Sequence, residues 1–226
     1  MIKCVIFDLD GTLLNTLPTI TYYINRMNDR YGLPHLEEAR VKEFIGHGAR
    51  NLVRSSLAFC KAPVDELFDE AFLSYTSDYD KAPEHLTVPY DGVTEMLNEL
   101  RCRGITLAVY TNKPATCAPD VIKAAFGDMF ARVVGADPAV RPLKPAPDGA
   151  LEILREMGIS PSECGYLGDM TVDADTAQAI GVGLTVLADW GFGERALLEA
   201  KEHTAIISRP AELVSLIDAY NGGDRI

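Results

Sequence analysis

The sequence predicts an α/β protein, a parallel sheet core with an inserted helical domain. Three observations lead there. Strand and helix signals alternate along most of the chain, the pattern of crossover connections between parallel strands. One long stretch, about residues 16–85, breaks the alternation with helical spacing and no clear strand pattern. The first apolar run, Cys4-Val5-Ile6-Phe7, leads directly into Asp8-Leu9-Asp10-Gly11-Thr12. That places acidic groups at the carboxyl end of a strand, where open α/β sheets put their sites.

Strands are expected at 3–8, 106–110, 132–135, 164–167, 183–187 and 204–207. Within the insertion, Ile20, Ile24, Met27 and Tyr31 recur at helical spacing. Pro18 suits the first turn of that helix and Gly32 its end. Shorter helical patterns follow around 36–44 and 49–59, then a stripe of Leu67, Phe68, Ala71, Phe72 and Tyr75. Both stripes read as the core of a helix bundle. The chain crosses between the two parts near 14–17 and 82–88, so the core takes 1–15 and 86–226 and the helical domain 16–85. After it, Val93, Met96, Leu97 and Leu100 mark a helix ending at Gly104. Ala150, Leu151, Ile153, Leu154 and Met157 mark another ending at Gly158, and a last helix is expected around 210–220. Residues 221–226 read as a frayed tail. No internal repeat or low-complexity segment stands out.

With 226 residues, 47% hydrophobic and 24% charged, the chain has the make-up of an ordinary globule of one or two domains. It can bury a substantial core without staples. A net charge of −12 argues against nucleic acid or an anionic membrane as partner. An anionic substrate would need a metal and local basic groups to overcome that field. The cysteines are Cys4, Cys60, Cys102, Cys117 and Cys164, an odd number with no pair at metal-ligand spacing. Cys4, Cys102 and Cys164 lie in or beside apolar segments and read as core or partly buried thiols. A reducing cytoplasm fits them. No basic-then-apolar leader precedes the first strand, and no apolar stretch is long enough to span a membrane.

Side chains two apart on a strand point the same way, so Asp8 and Asp10 can stand together. Adjacent carboxylates repel and call for a cation or a shared proton. One can attack while the other shuttles a proton. A plain Asp-Gly turn is the structural alternative.

The run Phe-Asp-Leu-Asp-Gly-Thr-Leu-Leu-Asn-Thr resembles the first motif of the haloacid dehalogenase-like hydrolases. Val109-Tyr110-Thr111-Asn112-Lys113-Pro114 resembles their second motif, Lys144-Pro145-Ala146-Pro147 the third, and Tyr166-Leu167-Gly168-Asp169-Met170-Thr171-Val172-Asp173 the fourth. All four occur in family order, and the ordered set is specific where each motif alone is weak. Ile45-Gly46-His47-Gly48-Ala49-Arg50 and Trp190-Gly191-Phe192-Gly193 resemble the phosphoglycolate phosphatase branch. Met170 stands where the family commonly has Ser or Thr, so one supporting hydrogen bond is expected to be missing. Asp91 stands where many relatives have Pro, which is expected to loosen the linker to the cap.

The resemblance implies a Rossmann-like parallel sheet core with an inserted helical cap, and a Mg²⁺-dependent phosphatase acting through an aspartyl-phosphate. Asp8 is then the nucleophile and Asp10 the acid and base. Thr111, Asn112 and Lys144 hold the transferring group. Asp8, Asp169, the Asp10 carbonyl and Asp173 form the metal set, with Asp173 binding directly or through water. Asp175 reads as an ordinary acid near a helix start. Thr111 and Asn112 equally suit a helix cap, and Lys144 a solvated loop. Gly46, His47 and Gly48 form either an interhelical turn or a substrate loop. Arg50 is either a surface charge or the partner of a substrate carboxylate or second phosphate. Trp190 is expected to pack a loop near the site without touching substrate. The expected partner is a small phosphorylated metabolite, phosphoglycolate first, handled by a monomer or homodimer. A phosphosugar mutase with the same Asp pair is the nearest rival. A phospho-accepting signalling module with a strand-end Asp, Mg²⁺, Thr and Lys is the rival from another class. Dehalogenation would leave Asp10 and the metal without a task, and an idle binding protein is disfavoured because no central motif residue is missing.

Overall fold

The apolar run at the start of the chain forms β1 (Cys4–Phe7), every residue of it buried. Its neighbours on both sides are parallel strands. The computed structural model describes residues 1–223. After β1 come β2 (Leu14–Asn15), α1 (Leu17–Arg30), α2 (Glu38–Lys42), α3 (Gly48–Phe59), α4 (Val64–Tyr79) and β3 (Val88–Pro89). The second part comprises α5 (Val93–Cys102), β4 (Thr106–Pro114), α6 (Ala118–Phe126), β5 (Arg132–Ala136) and α7 (Asp148–Met157). A 3₁₀ turn at Pro161–Glu163 leads to β6 (Cys164–Gly168), α8 (Thr171–Ile180), β7 (Leu184–Ala188), α9 (Arg195–Glu199), β8 (Ala205–Ile207) and α10 (Ala211–Gly222).

The main sheet is parallel and ordered β5-β4-β1-β6-β7-β8. Alternation along β1 splits its side chains between two faces. Val5 and Phe7 join Met96 and Leu97 of α5, Val121 of α6 and Leu213 of α10. Cys4 and Ile6 join Ile153 and Leu154 of α7 and Ala177 of α8. Helices cover both faces, which is why the strands read as unbroken apolar runs. The chain order changes direction across β1, so a crevice opens at its carboxyl end.

The insertion's apolar cluster takes Ile20, Ile24 and Met27 of α1, Leu52 and Leu57 of α3, and Phe68, Tyr75 and Tyr79 of α4, and it continues into Cys117 and Phe192 of the core. The insertion's two crossings pair as a short antiparallel ladder, Leu14 with Pro89 and Asn15 with Val88. No helix among the described residues is long and apolar enough to cross a membrane.

All six expected strands form, but β4 runs on to Pro114, with a register shift between Tyr110 and Pro114. Helices α6 and α9 were not expected as elements, and α8 was expected only as a helix start near Asp173 and Asp175. In α8 the buried residues are Val172, Asp173, Ala174, Thr176, Ala177 and Ile180, a mix of polar, small and branched side chains that makes a faint stripe. The frayed tail is shorter than expected: α10 reaches Gly222, and Asn221 Oδ1 accepts a hydrogen bond from Ile2 N–H at 2.5 Å. The rest of that expected tail, 224–226, lies outside the described residues. All five cysteines are free, and Cys102, expected in or beside the core, is exposed at the end of α5.

Candidate active site

Asp8 extends β1 by one residue, its N–H donating to Leu167 O at 2.9 Å. Beyond it the chain turns tightly, with the Leu9 carbonyl accepting from Thr12, Leu13 and Leu14 N–H. Gly11 sits in that turn at φ +93, and a Cβ there would lie 2.2 Å from Asp169 Oδ2. Only glycine satisfies both the conformation and the space. Thr12 Oγ1 then reaches across to donate to Asp169 Oδ1 at 2.6 Å.

Asp169 leaves β6 beside Asp8. Its second oxygen accepts from Phe192 N–H at 2.7 Å. The Gly191 and Gly193 backbone packs so close that a Cβ would lie 2.4 Å from Asp169 Cβ or 2.1 Å from Asp169 O, respectively. That is the physical content of the late Trp-Gly-Phe-Gly run. Trp190 Nε1 donates to Thr12 O at 3.1 Å and lies outside the cleft lining, as expected. Asp173 sits in the first turn of α8, and its Oδ2 accepts from Asp169 N–H at 3.2 Å and Met170 N–H at 3.0 Å. The Met170 backbone is therefore satisfied, while its thioether lies 2.9 Å from where a Cβ on Gly46 would stand. Met170 places apolar contact beneath the cap where the family pattern has a hydroxyl. Asp175 faces outward to Lys201 at 2.8 Å, as its helix-surface reading requires.

Lys144 is buried, so its solvated-loop alternative fails. Its Nζ donates to Asp173 Oδ1 at 2.7 Å. It also lies 2.8 Å from Asp8 Oδ1, close enough for strong attraction yet angled off a hydrogen bond. Burial works against its charge, but Asp173 and Asp8 hold its pKa well above the ordinary lysine value. Burial pushes the Asp8 carboxyl up to about 6 against the pull of Lys144, with Asp173 and Asp10 adding to the rise. Burial, with Asp173 and Asp8 beside it, likewise raises Asp169 well above the usual carboxylate range.

Asp8, Asp169 and Asp173 offer oxygens that lie within 4.8 Å of one another, all buried. Repulsion among buried carboxylates is what a small divalent cation relieves, and this donor set fits one. The Asp10 side chain is not in that cluster. It turns to Lys113, whose Nζ donates to Asp10 Oδ1 at 3.1 Å and also bonds the Tyr79 hydroxyl from α4. Burial opposes the Lys113 charge, but Asp10 and Tyr79 raise its pKa. Sequence reasoning gave neither Lys113 nor Tyr79 a role. Lys113 lay within a quoted motif, and Tyr79 stands one helical turn after Tyr75 at the end of the stripe.

Thr111 and Asn112 lie in extended backbone within β4, and α6 begins only at Ala118. The helix-cap alternative for them is thereby overturned. The Asn112 amide is engaged at both ends: Oδ1 accepts from Lys144 N–H at 2.8 Å, and Nδ2 donates to Gly46 O at 2.9 Å and Lys144 O at 3.3 Å. Thr111 Oγ1 accepts from Lys113 N–H at 3.2 Å, which leaves its proton to donate.

A cleft of about 700 Å³, counted out to its open mouth, separates this floor from the insertion. Gly46 and Gly48 line it, but His47 and Arg50 do not. Ala49 and Leu52 occupy the cleft face of α3, and Arg50 and Arg54 stand on another face. Arg50 is exposed and stacks over Phe68 at 4.6 Å and Phe72 at 5.0 Å, with Asp69 at 4.0 Å. It does not meet the substrate space it was expected to serve.

Residues 5–187 match the family model described as haloacid dehalogenase-like hydrolase. A phosphoglycolate phosphatase from Pseudomonas putida is 30% identical over 99% of this chain and 86% of its own. An N-acetylmuramic acid 6-phosphate phosphatase from Pseudomonas aeruginosa is 29% identical over 96% of this chain and 95% of its own. A crystal structure of a protein described as a predicted phosphoglycolate phosphatase, from Haemophilus somnus, superposes with a TM-score of 0.88 at 26% identity. It covers 96% of this chain and 98% of that one.

Proposed function

The chain belongs to the haloacid dehalogenase-like hydrolases and is a phosphatase of that family, and from that premise we propose a two-step hydrolysis of small phosphomonoesters on Asp8. One observation carries the reading. Asp8 and Asp10 are two residues apart yet have different partners: Asp8 lies among Lys144, Asp169 and Asp173, and Asp10 is held by Lys113. Asp8 stands in the acidic cluster that a cation would screen, which suits a nucleophile, and Asp10 stands outside it, oriented by Lys113 for proton transfer.

The Asp8 carboxylate attacks phosphorus. A P–O bond to Asp8 forms as the P–O bond to the alcohol breaks, and Asp10 passes its proton to the leaving oxygen. Asp10, now ionised, takes a proton from water. The water oxygen attacks phosphorus, and the bond to Asp8 breaks to release inorganic phosphate. Lys144 and the Thr111 hydroxyl hold the non-bridging oxygens. Asn112 ties the Lys144 loop to the cap loop rather than contacting phosphate with its amide. Mg²⁺ is the expected cation, with Asp8 and Asp169 as ligands and the Asp10 carbonyl and Asp173 in support, and it supplies charge that screens nucleophile from phosphate.

Phosphate release from a small aryl phosphate with Mg²⁺ present tests this reading. Excess chelator should abolish release and added Mg²⁺ restore it. Asp8→Asn should lower turnover by about 10⁴-fold or more. Full activity in chelator overturns the metal set, and near-normal activity of Asp8→Asn overturns the chemistry.

A further inference from the structure

Ile20, Ile45, Leu52, Tyr75 and Tyr79 form the cap wall of the cleft. Of these, Tyr79 makes a side-chain hydrogen bond to the core. Its hydroxyl oxygen accepts from Lys113 Nζ, and that ammonium lies 4.8 Å from the ring centroid. An ammonium has three protons to donate and no lone pair, so the phenol oxygen is the acceptor. Lys113 Nζ donates a second proton to Asp10 Oδ1 at 3.1 Å. The lysine side chain is 2% exposed, and a buried ammonium is costly unless its protons are placed. Lys113 thus bridges one cap hydroxyl and one core carboxylate.

The two ends of the bridge are anchored in different parts of the molecule. Tyr79 is packed in the cap by ring contacts with Tyr23 at 5.2 Å and Tyr75 at 5.5 Å. It closes α4, and the next residue, Asp80, accepts from the Thr116 hydroxyl at 3.5 Å, so the end of α4 docks on residues 113–116. The backbone there is held close to β5: a Cβ on Gly135 would lie 2.7 Å from Ala115 Cα and 2.9 Å from Lys113 O. Between that backbone and Asp10, the movable link is the four-carbon stem of Lys113. The phenol oxygen fixes where its ammonium sits.

Resting on the phosphatase reading above, we propose that Tyr79 is a positioning residue for proton transfer: from the cap it holds Lys113 against Asp10, so that Asp10 is aimed at the leaving oxygen when the end of α4 is docked on the core. The cap thereby takes part in the chemistry as well as covering it. Tyr79 acts through Lys113 and touches neither the phosphate nor the reacting oxygens.

The experiment measures kcat/KM for butyl phosphate and 4-nitrophenyl phosphate on the full chain with Mg²⁺. This ratio covers the steps up to release of the alcohol. Butoxide needs a proton to leave, and 4-nitrophenolate does not. Tyr79→Phe keeps the ring under the ammonium and removes only the hydroxyl. It should lower kcat/KM about tenfold for butyl phosphate, the size of one lost hydrogen bond to a charged group, and less than about twofold for 4-nitrophenyl phosphate. In a Lys113→Met background the same change should cost less than about twofold on butyl phosphate, because the bridge is already broken. Tyr79→Leu, which also removes the ring, is the second variant and should show the same split between leaving groups. Thermal melts check that each variant is folded. Equal losses on both substrates overturn the proposal, since they make Tyr79 a packing residue or a phosphate contact. A butyl phosphate loss that persists in full beside Lys113→Met overturns it too, as does no loss at all. Each of those results leaves the phosphatase reading standing. Failure of the parent protein to release phosphate from either substrate removes both.

Discussion

The core and the insertion meet across one cleft but are built on opposite principles. On the core side Lys144, Asp169, Asp173, Asn112 and Lys113 are buried polar groups, each tied to two or more others. On the cap side the wall is mostly aliphatic and aromatic, and the polar ties from cap to core include the Gly46 carbonyl on Asn112, the Tyr79 hydroxyl on Lys113, the Lys42 ammonium on the Gly191 carbonyl and the Thr116 hydroxyl on Asp80. A buried charge network has one low-energy arrangement and holds its members in place. An apolar wall tolerates exchange of side chains of similar volume. The difference teaches that a buried polar network fixes the position of its members, whereas an apolar wall leaves room for side-chain exchange.

The sharpest way to break that comparison is Lys113→Met. Lys113 contacts Asp10 and the cap tyrosine, so the change leaves a carboxylate without its partner. We expect kcat to fall about a hundredfold with KM little changed, because the residue positions Asp10 rather than phosphate. The loss should be greater for an alkyl phosphate than for 4-nitrophenyl phosphate, whose leaving group needs no proton. An equal rise in KM for both would instead make Lys113 a substrate contact.

A second comparison concerns what the charge network costs. In the unfolded chain Asp8 ionises near its ordinary value of 3.8, and in the metal-free native state at about 6. Between those values the native state holds the extra proton, so its stability falls as pH rises through that window. At about 1.4 kcal/mol per pH unit the loss is about 2–3 kcal/mol. Asp8→Asn removes it. Urea unfolding in chelator should therefore find the two proteins similar at pH 4 and the variant more stable at pH 7. A stability gap that does not change with pH would show that the network imposes no such cost.

The smallest expected effect lies on the cap surface. Arg50→Ala should change kcat/KM by less than about twofold on any substrate and lower stability by about 0.5–1 kcal/mol, the value of an exposed cation–π contact. A tenfold KM rise for phosphoglycolate alone would mean that Arg50 reaches the cleft, and would give the cap an electrostatic role.

Much of this was legible in one dimension. Each core strand is a short apolar run, and each large amphipathic stripe became a helix, because burial on one or both faces writes a local period into the sequence. Asp8, Asp169, Asp173, Thr111 and Lys144 were legible because each stands in or beside a short motif at the end of a strand or in a loop. Lys113 was hidden in plain view, since nothing in its spacing shows that its ammonium meets Asp10, 103 residues away. Arg50 misled for the complementary reason: its position beside a Gly-x-Gly turn does not report the direction in which α3 presents it.

The sequence by itself determined the alternation of strand and helix and the acidic pair at the end of β1. These depend on periodicity and on neighbours within a few residues. The tertiary structure alone decided which carboxylate each lysine meets, that Asp10 stands apart from the other acids, and that the cleft wall is apolar. Those outcomes depend on which strand edges and helix faces are brought together across more than a hundred residues. Spacing along the chain carries no record of distance or burial at that range.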